Sequence, residues 1–239
     1  MARQIRALTK VAPGVTFVEG PGANWTILHS ERGLALIDAG YPEDVGLVVE
    51  SIHAVGRDPR DLAAIYVTHA HTDHIGSIPR LRDMASFVVY CHAQEQRAMR
   101  RQELHQIRVR DVLRRAFDLR MLTWSVRAIQ AGGLRDFAVC DAVDLPAGQA
   151  LEGTAQGIIP ILVPGHSEGH AVYLIPQHGV LVSGDALVTG HPTSRADGLQ
   201  SLRQEFHWDS SRAELGRGAL MGDDRWDTIL PGHGSLLRR

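Results

Sequence analysis

Thr68-His69-Ala70-His71-Thr72-Asp73-His74 places three imidazoles and a carboxylate within six residues, His69 to His74. Directly before it runs Leu62-Ala63-Ala64-Ile65-Tyr66-Val67, continuously apolar in the manner of a strand covered on both faces. The cluster therefore falls where a buried strand gives way to a loop. A loop at a strand end can turn alternating side chains to one point, which a helix cannot do at this spacing. Imidazole nitrogen and carboxylate oxygen suit Zn²⁺, and also iron or manganese.

Three later fragments repeat the arrangement. Val163-Pro164-Gly165-His166, Ser183-Gly184-Asp185 and Leu230-Pro231-Gly232-His233 each set one candidate ligand just after a short apolar run. Glycine and proline there let the backbone turn sharply and bring the ligand inward. With 13 histidines in the chain, isolated neighbours are expected; four such fragments are not. Seven candidate ligands exceed what one tetrahedral ion needs and suit two ions sharing a carboxylate.

Around these fragments the two ends of the chain read as strands and the middle as helix. Strand-like runs occupy 14–19, 25–29, 34–38, 62–67, 157–163, 171–175, 179–183 and 228–230, with a turn at Ser30-Glu31-Arg32-Gly33. Val45, Val48, Val49, Ile52 and Val55 recur at helical spacing until Gly56, and Asp209 caps a helix through Ala213, Leu215 and Leu220. Residues 93 to about 131 contain neither Gly nor Pro, and carry Arg97, Arg100, Arg101, Arg108, Arg110, Arg114, Arg115, Arg120 and Arg127. Leu104, Ile107, Leu113, Ala116 and Phe117 among them approach helical spacing, predicting one or two amphipathic helices closed by Gly132-Gly133.

At 239 residues and 44% hydrophobic, the chain can bury a large core. No repeat or linker divides it, so one domain, 1–239, with a helical insertion at about 93–131 is expected. A net charge of -2 and 5% aromatic content leave no basis for nucleic-acid binding or for an anionic membrane surface. No apolar run approaches the ~20 residues of a membrane span. Two cysteines, Cys91 and Cys140, and a start without a secretory h-region lead to the expectation of a soluble cytoplasmic protein. Lys10 is the only lysine, so no lysine nucleophile is expected.

The ordered set His-x-His-x-Asp-His, His, Asp, His resembles the metallo-β-lactamase fold superfamily, in its glyoxalase II-like dinuclear branch, from about Val15 to His233. The resemblance implies an αββα four-layer sandwich with metals along one sheet edge. It implies that His69, His71 and His166 hold one divalent ion, that Asp73, His74 and His233 hold a second, and that Asp185 bridges them. Leu36-Ile37-Asp38-Ala39-Gly40 resembles the family's Leu-Ile-Asp-x-Gly segment, which makes Asp38 the acceptor behind a ligand histidine. Zinc is the first expectation for both ions, iron or manganese the next.

Departures narrow the branch. Asp185 stands where some lactam-hydrolysing members carry a zinc-binding cysteine, and His71 where flavodiiron proteins commonly carry glutamate. Val188 occupies the position of a tyrosine common in homoserine-lactone lactonases. The chain ends six residues after His233, without the helical glutathione-binding domain of glyoxalase II. The expected function is a metal-dependent hydrolase using a metal-bridging hydroxide to cleave a thioester, lactone or ester of a small molecule, with Asp73 orienting the water. The alternative is a mononuclear iron oxidoreductase of the persulfide dioxygenase kind. β-Lactamase, nuclease and non-catalytic metal-binding readings rank below these.

His170 reads as a structural hydrogen-bonding residue rather than an eighth ligand, and His191 and His207 as surface residues with a possible view of substrate. His29, His53, His92, His105 and His178 have no ligand-like setting. Cys91 reads as a buried thiol. The arginine-rich stretch admits three readings: a solvated helical face, a lid binding a substrate carboxylate, or a homodimer surface.

Overall fold

The computed structural model describes residues 3–31, 33–104, 106, 107, 110, 112, 114, 117–145, 151 and 157–239. Arg32, His105, Arg108, Leu113, Arg115 and Ala116, named above, lie outside the described residues.

The N-terminal half supplies β1 (Ala7–Ala12), β2 (Val15–Glu19), β3 (Trp25–Ser30), β4 (Gly33–Ile37), β5 (Leu62–Tyr66) and β6 (Val88–Cys91). These pair in that order with the short β7 (Val143–Asp144) to make one sheet. The C-terminal half supplies β8 (Ile159–Leu162), β9 (Ala171–Ile175), β10 (Val180–Gly184), β11 (Thr228–Pro231) and β12 (Leu237–Arg238), ordered β12-β11-β10-β9-β8 in a second sheet. The helices are α1 (Val45–Ala54), α2 (Thr72–Ile75), α3 (Ile78–Leu81), α4 (Gln96–Met99), α5 (Leu119–Gln130) and α6 (Ser210–Gly222).

The layering follows from side-chain alternation along nearly continuous apolar strands. On β4, Leu34 and Leu36 join the core beneath α1 and α3, while Ala35 and Ile37 join the core between the sheets. On β9, Tyr173 and Ile175 enter that same central core, while Val172 and Leu174 face outward with Leu220 of α6 and Trp226. Helix, sheet, sheet and helix therefore stack as an αββα sandwich. Hydrogen bonds cross between the sheets at the functional edge, from Tyr173 Oη to the Val67 carbonyl (2.7 Å) and from the Ala171 amide to the Thr68 carbonyl (2.9 Å).

This architecture positions a site at one edge. β4, β5 and β6 run parallel, as do β10 and β11. The carboxyl ends of β5, β10 and β11 meet there, each followed by a candidate ligand.

Most elements fall where the periodicity places them. β1, β6, β7 and β12 are not among the strand-like runs of the sequence, because β1 is only half-covered at the sheet's edge, β6 has four residues and the other two have two residues each. The described residues of the arginine-rich segment include two helices. α4 stops at Met99, and Arg101 takes a left-handed φ of 58°, which ends the helix. α5 begins afresh, capped by Asp118, whose side chain accepts from the amides of Arg120 and Met121. Among the described residues no helix is long and apolar enough to cross a membrane.

Replacing Tyr173 by Phe should lower unfolding free energy by about 1–2 kcal/mol, since it removes a buried inter-sheet donor without changing shape. Urea denaturation would show this as a lower midpoint with an unchanged slope.

Candidate metal centre

His69 and His71 lie in the loop after β5, as the spacing predicts. Asp73 and His74 do not: they ride on α2, a single helical turn. That turn redirects the chain, so the first two histidines face one cluster and Asp73 and His74 face another. His166 comes from the β8–β9 loop, Asp185 from the end of β10 and His233 from the end of β11.

All seven converge. Nε2 of His166 lies 3.1 Å from Nε2 of His69 and 3.0 Å from Nδ1 of His71. Nε2 of His233 lies 3.4 Å from Asp73, whose carboxylate is 3.9 Å from His74 Nε2. Asp185 sits between: Oδ2 is 3.5 Å from His166 and 3.2 Å from His233, and Oδ1 is 3.5 Å from His74. Each three-residue group, His69/His71/His166 and Asp73/His74/His233, offers ligand atoms within 4.8 Å of one another.

The donors fit cations. Three imidazole nitrogens that crowd together at hydrogen-bond distance cannot all be satisfied by one another's protons; a metal ion among them satisfies all three lone pairs. His74 Nε2 and Asp185 Oδ1, both buried, have no hydrogen-bond partner among the described residues. Space is kept for the carboxylate by Gly232, where a Cβ would stand 2.2 Å from Asp185 Oδ1. Gly184 holds a left-handed φ of 49°, with the Thr68 and His170 side chains 2.8 Å from where its Cβ would be.

Outer hydrogen bonds orient these ligands. His74 Nδ1 donates to Asp38 Oδ2 (2.8 Å), which turns Nε2 to the cluster. Asp38 is itself held by the Thr68 amide and hydroxyl, both at 2.8 Å, and adopts a φ of 61° to reach them. His233 Nδ1 donates to the Gly22 carbonyl (2.9 Å). His170 is not a ligand; its Nε2 accepts the Asp185 amide at 3.1 Å.

Three supports escape the sequence reading. Glu95, buried, accepts from the Ala70 amide (2.8 Å) with one oxygen and from Ser167 Oγ (2.8 Å) and the Gly169 amide (2.9 Å) with the other. It thus ties the His69/His71 loop to the His166 loop. Asn24 donates to the Pro231 and Gly234 carbonyls (2.9 and 2.7 Å) and so clamps the turn that carries His233. Arg101 donates to the Ala70 carbonyl at 3.0 Å and to the Phe137 carbonyl at 2.8 Å. No local pattern marks these three, because their partners are backbone groups distant in sequence.

The site opens into a cleft of about 840 Å³, a volume that includes open solvent at its mouth, walled by the converging side chains and by residues of α5 and the segment after β10. Tyr41 and His191 also line it. His191, expected at the surface, is half-buried: its Nδ1 accepts from the Thr193 amide, which leaves the proton on Nε2. His207 packs edge-on to His166, with ring centroids 5.5 Å apart. His29, His53, His92 and His178 are not among the cleft's walls. Cys91 is in the core, where burial first and Glu95 second push its thiol up to about 12.

The chain can now be set beside known proteins. A model of the metallo-beta-lactamase superfamily matches residues 18–233, which include all seven converging side chains. The chain belongs to the metallo-β-lactamase superfamily. It is 27% identical over 214 residues to the probable metallo-hydrolase YflN of Bacillus subtilis, covering 86% of this chain and 72% of that one. It is 27% identical over 186 residues to a hydroxyacylglutathione hydrolase of Methylobacillus flagellatus, covering 74% of this chain and 56% of that enzyme. A metallo-beta-lactamase family protein of Thermus thermophilus shares the fold, with a TM-score of 0.66 at 20% identity, covering 96% of this chain and 76% of that one. Superfamily members bind divalent metals, and this metallo-β-lactamase-fold chain has side-chain groups able to do so.

The protonation states of the two groups differ. Burial, then the neighbouring imidazoles, hold His69 well below its ordinary value, and His166 is lowered likewise. Burial also opposes charge on His74, but Asp185, Asp38 and Asp73 together lift it to about 9, and His233 is raised well above its ordinary value by Asp185 and Asp73. At pH 7 metal-free His74 and His233 therefore carry protons that a cation must displace. Loading of that half should release a proton from each, and the His74 release should fade as pH rises past 9. Titration calorimetry in buffers of different ionisation enthalpy would read this. Glu95→Gln sets an amide N–H against backbone donors, and should weaken metal binding by about 10- to 100-fold with the fold retained. Metal-competition titration and circular dichroism would check it.

Proposed function

We propose that this protein is a metal-dependent hydrolase acting on an ester-type bond (thioester, lactone or ester) of a small molecule. One observation carries the reading: Asp185 lies between the His69/His71/His166 and Asp73/His74/His233 groups, 3.5 Å from His166 and 3.2 Å from His233, in the wall of an open cleft. His69, His71 and His166 would hold one ion and Asp73, His74 and His233 the other, with Asp185 on both. Zinc suits these donors best, iron or manganese next. A bound pair of divalent ions supplies a water acidified toward neutrality and a Lewis-acid pull on the substrate carbonyl.

The chain's own groups do the rest. Asp73 lines the cleft beside His233, so its carboxylate can orient the attacking water and take its hydrogen bond. Asp38 keeps His74 in one tautomer. His191 presents its Nε2–H to the cleft with its ring 4.9 Å from that of His233, where it can donate to a substrate carbonyl oxygen. Tyr41, held neutral by burial and by Asp73, offers a second donor, its hydroxyl, in the same wall. Neither cysteine takes part: Cys91 is buried in the core and Cys140 is not in the cleft.

The test is a hydrolysis screen of metal-reconstituted protein over thioesters, lactones, esters, β-lactams and phosphodiesters. Activity on the first three classes is expected. Asp73→Ala should lower kcat by at least about 10²-fold with an unchanged melting temperature, while Cys91→Ala keeps the rate. Elemental analysis should give two metals per chain. One iron per chain, with His233→Ala costing nothing, would replace this reading by an oxygenase.

A further inference from the structure

We propose that the cleft selects an uncharged substrate whose apolar alkyl or aryl arm lies against Trp124 and Phe206. The proposal rests on the hydrolytic reading above and names the class of molecule that reading leaves open.

The walls carry the argument. α5 contributes Trp124 and Ile129, and the segment after β10 contributes Leu202 and Phe206. The Trp124 and Phe206 rings meet edge to face, with centroids 5.2 Å apart at 88°. Leu202 and Phe206 pack with Met121 and Val188 in a buried cluster, so this wall is supported from behind. At the mouth Ile129 and Leu134 are 52% and 63% exposed, large apolar side chains left in water where a ligand would cover them.

Charge points the same way. Among the described residues lining the cleft there is no arginine or lysine, and its carboxylates are Asp73 and Asp185. Three arginines of the segment are engaged elsewhere. Arg97 pairs with Glu103, Arg101 holds the loop that carries His69 and His71, and Arg120 donates to the Ser194 carbonyl. A carboxylate or phosphate on the substrate's arm would be stripped of water with no arginine or lysine among the described lining residues to meet it. Of the three readings of this segment, the described residues favour an apolar wall over a lid whose arginines bind a substrate carboxylate.

Alkanoyl hydroxamates, which seat on a metal centre without turnover, separate the arm from the chemistry. Affinities of the metal-loaded protein for four-, six- and eight-carbon hydroxamates would be measured by calorimetry beside analogues ending in carboxylate. Each methylene should tighten binding about fourfold. The carboxylate series should bind about tenfold or more weakly at equal length. Trp124→Ala should flatten the length dependence with metal content unchanged. Ile129→Arg, at an exposed position, should narrow the gap between the two series. Affinity independent of length, or a carboxylate series binding as tightly, overturns the proposal. Length dependence without cleavage of any ester, lactone or thioester would leave the subsite standing and remove the hydrolytic reading instead.

Discussion

Asp185 is a carboxylate buried among the imidazoles of His74, His166 and His233, and the surrounding structure exists to keep it there. An ionised carboxylate in a protein interior is costly unless positive charge surrounds it. Here the imidazoles hold Asp185 well below the ordinary carboxylate value although burial acts to raise it. Those imidazoles would otherwise repel or crowd one another. Each half of the cluster is tenable because the other half is present, and cations would complete the compensation.

Such an arrangement needs rigid backing. The sandwich supplies it by ending three buried strands, β5, β10 and β11, at one edge, where backbone movement is limited by the core on both faces of each sheet. The loops between are then fastened by side chains acting on main-chain groups. Glu95 joins the His71 and His166 loops, Asn24 closes the His233 turn, and Asp38 joins the end of β5 to His74. Asp38 and Arg101 both adopt left-handed backbone conformations while anchoring the same His69–His74 segment. Local strain is tolerated where the gain is a fixed ligand.

The arginine-rich segment shows how charge count and local role diverge. Arg97 makes an ion pair and Arg120 a carbonyl contact, while the face of α5 that lines the cleft is Trp124, Ser125, Ala128 and Ile129. Polar chemistry is thus concentrated at the floor of the cleft and apolar contact at its walls, the usual division of labour in small-molecule sites.

How much was legible follows from the range of each interaction. The continuous apolar runs, the Pro-Gly and Gly turns and the ligand types after them are local properties. They determined by themselves the strand-rich ends and the candidates His69, His71, Asp73, His74, His166, Asp185 and His233, while the αββα layering came from the family resemblance that those residues carry. Asp38 was reachable through the same resemblance, because its Leu-Ile-Asp-x-Gly segment is also local. The positions of Glu95, Asn24 and Arg101 were not, since each binds carbonyls or amides 25 to 210 residues away, and backbone groups leave no signature in a side-chain pattern. The inward turn of His191 and the apolar wall were likewise decided only by tertiary structure. Helical spacing states which residues share a face, and only the packing of α5 against the segment after β10 states what that face meets.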